Sequence, residues 1–351
     1  MIQENRLLII TLILLNFMII SLTALFSLGK FDLFFKQVFF WLIGFFFFFS
    51  FKFIDYKIIF DRFYFYLLTA LSFFLLVLVL FTSRAIKSWF TLGPFYFQPS
   101  EFAKISFFLF LSYYLSYYLS KLKNLLYLFL SFSLLLPYLF LIYLQPDVGM
   151  AFLYFLVWFF SVLFFLPRKT LIIILVSFFI CFLLLYFFVL KEYQKERILS
   201  FIFSGKNLLN TEYNLRQIRI ILGATNFFGL GIGNSEIGKY GYLPSASTDF
   251  ILTFIIEERG YFGFLIYFFL MFLLIREIYK TYFFSKDINI KNFTYLVIIY
   301  FLVKFILTTL INFGMFPIIG LPLPFLSYGG SYLIFDLWLL GILNSFEEKR
   351  K

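Results

Sequence analysis

An all-α, polytopic membrane protein of about ten transmembrane helices is the fold class expected of this chain, and three observations lead to it. Hydrophobic residues make up 63% of the 351 positions and charged residues 13%, with a mean hydropathy of +0.98, more apolar surface than a soluble core of this length can bury. Apolar runs of roughly 18 to 25 residues recur along the chain, each long enough to cross a hydrocarbon layer as a helix. Basic residues collect in alternate short loops, which is how such helices are oriented.

The runs fall at roughly 7–28, 37–54, 63–82, 102–119, 124–143, 148–166, 170–190, 250–275, 293–314 and 327–346. The first is too long for the core of a signal peptide and has no small-residue cleavage site, so it is read as a retained helix. With the N-terminus inside, the inner loops gather fifteen bases: Arg6, Lys52, Lys57, Arg62, Lys121, Lys123, Arg168, Lys169, Arg276, Lys280, Lys286, Lys291, Lys349, Arg350 and Lys351. The outer short loops gather five, namely Lys30, Lys36, Arg84, Lys87 and Lys104. Residues 1–351 are therefore expected to form one integral membrane domain with both termini cytoplasmic. The net charge of +11 reads as an orientation signal and an attraction to anionic lipid; no single face concentrates it as a nucleic-acid surface would.

That topology leaves one long segment, 191–249, on the outer side, and a loop of this length is uncommon unless it has work to do. It carries two basic stretches, Lys191 to Arg197 and Tyr213 to Arg219, then the glycine-rich turn Gly229-Leu230-Gly231-Ile232-Gly233-Asn234-Ser235. Helical spacing over 213–222 suits a helix lying along the membrane surface. The glycines are read as a flexible loop, with a phosphate cradle as the competing reading.

Composition narrows the chemistry. There is no histidine, and the single cysteine, Cys181, lies in an apolar run, which excludes histidine acid-base catalysis, His/Cys metal sites and an intramolecular disulfide. The 62 phenylalanines reflect compositional bias and serve mostly as lipid-facing filler. Carboxylates, hydroxyls and bases must carry any reaction. No two aspartates are spaced Asp-x-Asp, the pair that often holds a metal-bound nucleotide sugar, so a soluble nucleotide donor is disfavoured.

Ionisable groups inside or beside the spans are costly unless paired, so each points to a partner or a cavity. They are Glu101, Lys104, Asp147, Glu257, Glu258, Arg259, Lys304 and Asp336. Glu101 and Lys104, three apart, can form a one-turn ion pair or contact a substrate. Glu257 and Glu258 can pair with Arg259 or Lys304, and Asp336 can neutralise a buried cation. Asp249, in the polar run Ser247-Thr248-Asp249 just where a greasy segment begins, is the catalytic candidate. A carboxylate between Phe250 and lipid is expected to be poorly solvated and hence a better base.

Five motifs in order resemble a known family. They are Gln98-Pro99-Ser100-Glu101-Phe102-Ala103-Lys104; Gln145-Pro146-Asp147-Val148-Gly149; Tyr242-Leu243-Pro244 leading to Thr248-Asp249-Phe250-Ile251; Glu257-Glu258; and Gly320-Leu321-Pro322-Leu323-Pro324-Phe325-Leu326-Ser327-Tyr328-Gly329-Gly330-Ser331. The chain is similar, over nearly its whole length, to the SEDS proteins (RodA, FtsW and SpoVE), and the loop before Asp249 looks more like the division branch, FtsW, than the elongation branch, RodA.

The resemblance implies a ten-helix peptidoglycan glycosyltransferase of the bacterial cytoplasmic membrane. It would polymerise lipid II at the outer face together with a class B penicillin-binding transpeptidase and other divisome or elongasome membrane proteins. Asp249 matches the family's essential aspartate, Glu101 and Lys104 match its cavity residues, and Arg197 lies in a stretch similar to its basic motif. The expected substrate-binding set is Glu101, Lys104, Arg197, Arg216, Lys239 and Ser327. Arg197, Lys239 and Arg216 would hold the diphosphate by charge-assisted bonds, a role that a divalent cation, Mg or Mn, could share. Ser327 and Tyr328 can donate hydrogen bonds along a wall of irregular backbone, with capping of the last helix as the competing role for Ser327.

The chain departs from the family pattern at the rim: Ala85-Ile86-Lys87-Ser88-Trp89 displaces a base, Phe203-Ser204 replaces Asp-Pro, and Ser245 and Ser247 replace Glu and His. The family's Asn-x-Gly is matched by Asn312-Phe313-Gly314, closer to Pro317 than usual. Two readings of other classes remain beside the enzyme: a lipid II flippase, and a non-catalytic scaffold that recruits the transpeptidase.

Overall fold

The computed structural model describes residues 2–82, 87–93, 95–118, 124–163, 195 and 211–346. The helices are α1 (Ile2–Ser27), α2 (Phe31–Ser50), α3 (Tyr56–Ile59), α4 (Arg62–Leu78), α5 (Pro99–Tyr118), α6 (Asn124–Leu144) and α7 (Val148–Leu163). They continue with α8 (Thr211–Ala224), α9 (Glu236–Tyr240), α10 (Ile251–Phe284), α11 (Ile288–Asn312) and α12 (Gly330–Ser345). Nine of the ten expected spans therefore coincide with helices; the tenth, 170–190, lies outside the described residues, as do Cys181 and Arg197.

Among the described residues, six helices are long and apolar enough to cross a membrane, and α7 and α12 are shorter apolar ones. The ninth, α5, is too polar to qualify, because Glu101, Lys104, four serines and four tyrosines interrupt it. Its position explains how this is tolerated. α5 packs against α4, α6, α11 and α12, and most of its residues from Pro99 to Leu115 are buried. Its polar groups therefore meet protein instead of lipid.

α10 runs nine residues past the expected end at 275, because nothing in the basic stretch after it breaks a helix before Ser285. The last span begins at Gly330 and not at 327. Pro322 and Pro324 have no amide to donate, and Gly320, Phe325 and Gly329 take positive φ, so 320–329 stays irregular. A short antiparallel hairpin, β1 (Phe90–Leu92) with β2 (Phe95–Phe97), precedes α5 and departs from the all-α expectation; Phe90 faces Phe97 across it.

Close helix contact is built on small residues, since lipid supplies no hydrophobic drive between helices. A Cβ placed on Gly44 of α2 would lie 2.2 Å from Leu337 Cδ1 of α12. Beside that contact Phe47 stacks on Trp338 at 4.8 Å between ring centres. The exposed Leu8, Leu12, Ile19, Phe35, Phe46 and Phe63 line outward faces of α1, α2 and α4, the filler role expected of the apolar excess.

Candidate active site

The turn 245–250 leads into α10 and carries Asp249. Ser245 takes φ of 60°, and its carbonyl accepts the amides of Thr248 (3.0 Å) and Phe250 (3.3 Å), which closes the turn. Two other parts of the chain hold it. From the irregular segment before α12, Ser327 Oγ donates to the Thr248 carbonyl at 2.5 Å and the Tyr328 amide donates to the Ser247 carbonyl at 2.8 Å. From the end of α11, Asn312 Nδ2 donates to the Asp249 carbonyl at 2.9 Å, while Asn312 Oδ1 accepts the amides of Leu252 and Thr253 at 3.1 Å each. Lys30, in the turn between α1 and α2, donates to Ser247 Oγ at 3.2 Å. Asp249 itself is half-buried.

A second cluster lies between α5, α11 and α12. Lys104 Nζ is 2.6 Å from Glu101 Oε2, so the expected one-turn pair forms, and the same ammonium also donates to Asp336 and, at 2.9 Å, to the Tyr300 hydroxyl. Lys304 Nζ reaches the other oxygen of Asp336 at 2.9 Å. Two cations and two anions are thus buried together, and Asp336 neutralises buried cations as expected. Lys304 Nζ also lies 4.8 Å from the centre of the Tyr332 ring, whose hydroxyl donates to the Ser327 carbonyl. Ser327 therefore joins the charge cluster to the Asp249 turn.

Three expectations change on the structure. Glu257 and Glu258 do not pair with Lys304, which Asp336 already holds. Instead Glu257 accepts from the Ser235 hydroxyl and the amides of Glu236 and Ile237, and Glu258 accepts from the amide of Gly233 (2.8 Å) and from Ser27 Oγ (2.9 Å). The glycine-rich turn is accordingly neither a flexible loop nor a phosphate cradle. Its Leu230 and Gly231 amides are spent on the carbonyls of Glu257 and Glu258, which a kink at Gly260 (φ 67°) leaves without helical partners. Lastly, Ser327 does not cap the last helix. Gly329 stands at that position without a side-chain cap, while the buried Ser327 hydroxyl accepts the Leu323 amide and donates to Thr248.

The expected binding residues are only partly together. Arg216 lies on the exposed face of α8, whose Leu215, Ile218 and Ile221 are buried; α8 is tied to α10 through Tyr261 and the Leu222 carbonyl, and it borders the turn at Gly314. Lys239 stands in α9, and Arg197 lies outside the described residues. Asp147 caps α7, accepting the Met150 amide at 3.1 Å, and takes a bond from Gln98 Nε2. Burial pushes its carboxyl up to about 6. Among the described residues no three His, Cys, Asp or Glu side chains gather as metal ligands. Asn312 was visible in the sequence only as part of Asn-x-Gly; its role needs two helices to meet.

A family model described as "Cell cycle protein", built on FtsW, RodA and SpoVE, matches residues 5–351. The probable peptidoglycan glycosyltransferase FtsW of Wigglesworthia glossinidia brevipalpis is 34% identical over 287 residues, spanning 79% of this chain and 74% of that one. Its counterpart in Buchnera aphidicola subsp. Schizaphis graminum is 34% identical over 288 residues, spanning 79% and 80%. A chain from a peptidoglycan synthase complex, reported for its structural coordination of polymerization and crosslinking, superposes with a TM-score of 0.82 at 27% identity, covering 97% of this chain and 98% of that one. The rod shape determining protein RodA of Thermus thermophilus shares the fold at a TM-score of 0.71 and 24% identity, with 97% of each chain covered. The agreement of motif order, backbone and overall length places this chain in the FtsW/RodA/SpoVE family, nearer to FtsW.

Proposed function

We propose that this protein is a peptidoglycan glycosyltransferase of the bacterial cytoplasmic membrane. It polymerises lipid II into glycan strands at the outer face, with both termini cytoplasmic and segment 191–249 outside. The observation that carries this reading is the turn bearing Asp249, held at the Asp249 carbonyl by Asn312 and at the Thr248 carbonyl by Ser327, in a chain whose family relatives bear that activity in their names. A half-buried carboxylate held by its backbone is what a positioned general base requires.

In the reaction, Asp249 takes the proton from the 4-hydroxyl of the acceptor's GlcNAc as that oxygen attacks the anomeric carbon of the donor's MurNAc. The new C–O bond forms as the bond from that carbon to the diphosphate breaks. The lipid diphosphate leaves with the electron pair, and the configuration inverts. Because the donor already carries a good leaving group, the protein supplies orientation, proton removal and cations at the diphosphate; Arg197, Lys239 and Arg216 are proposed for the last role. The buried quartet of Glu101, Lys104, Lys304 and Asp336 holds α5, α11 and α12 together behind the turn. The partner is a class B penicillin-binding transpeptidase, in line with the synthase complex whose chain this one matches.

The test is polymerisation of lipid II by the purified full-length protein with its transpeptidase. Wild type yields long glycan strands and Asp249→Asn yields none. Full polymerisation by the variant removes Asp249 from its role. Lipid II crossing the bilayer without polymer would instead establish a transporter, and neither outcome would leave a scaffold.

A further inference from the structure

The first turn of α10 has amides that need acceptors, as every helix start does. The usual donor of an oxygen is a Ser, Thr, Asp or Asn at the cap position. Here the cap position holds Phe250, which offers none, and the polar residue immediately before it is Asp249. A carboxylate so near the helix start is drawn toward those amides by the hydrogen bonds they offer and by the positive end of the helix.

Two of those amides are already taken. Asn312 Oδ1, from α11, accepts both Leu252 and Thr253 amides at 3.1 Å, and the Thr253 hydroxyl donates to the Asn312 carbonyl at 2.9 Å. The other end of the same amide donates to the Asp249 carbonyl at 2.9 Å and to the Thr308 carbonyl at 2.8 Å. Asn312 is fully buried, and both ends of its amide group are bonded. The consequence for Asp249 is chemical as well as geometric. Amide hydrogen bonds to a carboxylate stabilise its charged form and weaken it as a base. A neutral oxygen on these two amides spares the carboxylate their hydrogen bonds.

We propose that Asn312 is the positioning residue of the catalytic turn: a cap supplied in trans by α11 that occupies the Leu252 and Thr253 amides of α10 and so keeps these two off the Asp249 carboxylate. The inference rests on the reading of Asp249 as general base. It assigns Asn312 a part in setting basicity, which a merely structural asparagine would not have.

The experiment compares wild type, Asn312→Ala and Asn312→Asp as full-length proteins with the transpeptidase partner, measuring lipid II polymerisation from about pH 4.5 to 9. In Asn312→Ala the vacated amides draw in Asp249. kcat then falls by about 10- to 100-fold, the order expected when a general base is misplaced by about an ångström. KM stays within about twofold. Because the base has become weaker, the acid limb of the kcat profile moves to lower pH. In Asn312→Asp the acceptor oxygen remains but a negative charge stands beside the turn, so the acid limb moves to higher pH.

Opposite displacement of the two limbs supports the inference. An acid limb that stays in place in both variants, or a loss confined to KM, overturns it while leaving the glycosyltransferase reading intact. If Asn312→Ala does not fold, the direction of the Asn312→Asp limb alone decides. Wild type unable to polymerise lipid II would overturn the functional reading itself, and the inference with it.

Discussion

Lys304 Nζ and Asp336 Oδ2 lie 2.9 Å apart at full burial, and Lys104 closes on the other oxygen of the same carboxylate. One aspartate thus serves two cations, with Glu101 balancing the second charge. Such a cluster is balanced in charge only while all four members are present. Asp336→Asn is expected to destabilise the protein by about 3–5 kcal/mol, the cost of leaving buried charge unpaired. Thermal unfolding in detergent checks it, and a variant as stable as wild type would show that the cluster is open to water.

Gly260 and Phe227 make contact that no side chain can share. A Cβ on Gly260 would lie 2.0 Å from the Phe227 carbonyl, and its φ of 67° is itself costly for any other residue. Gly260→Ala is expected to cost more than about 2 kcal/mol, combining the backbone term with overpacking. It should also detach the 227–231 strand of loop, seen as faster hydrogen exchange at the Leu230 and Gly231 amides. Unchanged exchange there would mean that the loop is held elsewhere.

Ser327 links the Thr248 carbonyl to the segment before α12. Ser327→Ala removes the donor to Thr248 and the acceptor for the Leu323 amide, a loss of about 1–3 kcal/mol in stability for the stranded buried groups. Because it loosens the turn without touching its chemistry, activity should fall by less than in Asp249→Asn, with the pH profile unmoved. Polymerisation assays on the two variants, side by side, test this order.

Asp147 should leave a pH signature. Burial raises its carboxyl to about 6 in the folded protein, against about 3.8 when unfolded. A raised carboxylate pKa means that the native state holds the proton more tightly. The stability this contributes is therefore full below about pH 4 and is lost as pH rises through about 6, a change of up to about 3 kcal/mol. Asp147→Asn lacks this loss, so the melting temperature of wild type should fall relative to that of the variant as pH rises from 4 to 7. Parallel curves would mean that Asp147 ionises freely in the native state.

Much of the architecture is legible in the sequence. The spans were visible because lipid demands long apolar helices, and the motifs around Glu101, Asp147 and Asp249 stood out because charge is rare in such a chain. The Glu101 and Lys104 pair was legible because three residues is one helical turn. What the sequence hides is range: Lys304 is held by Asp336, and beside the neighbouring charge of Arg259 the two carboxylates accept from amides and a hydroxyl of residues 233–237 and from the Ser27 hydroxyl of α1.

From the amino-acid order alone come the membrane class, the rough placement of the nine spans that fall within the described residues, the exclusion of histidine and cysteine chemistry, and Asp249 as the residue to watch. Each of these depends on composition or on local spacing. Only the packed structure decided that Asn312 caps a helix it does not belong to, that Ser327 fastens one turn to another, and that Asp336 holds two lysines. Those relationships join residues 32 to 232 positions apart, and hydrogen bonds over that separation are chosen by how helices pack, which no local pattern encodes.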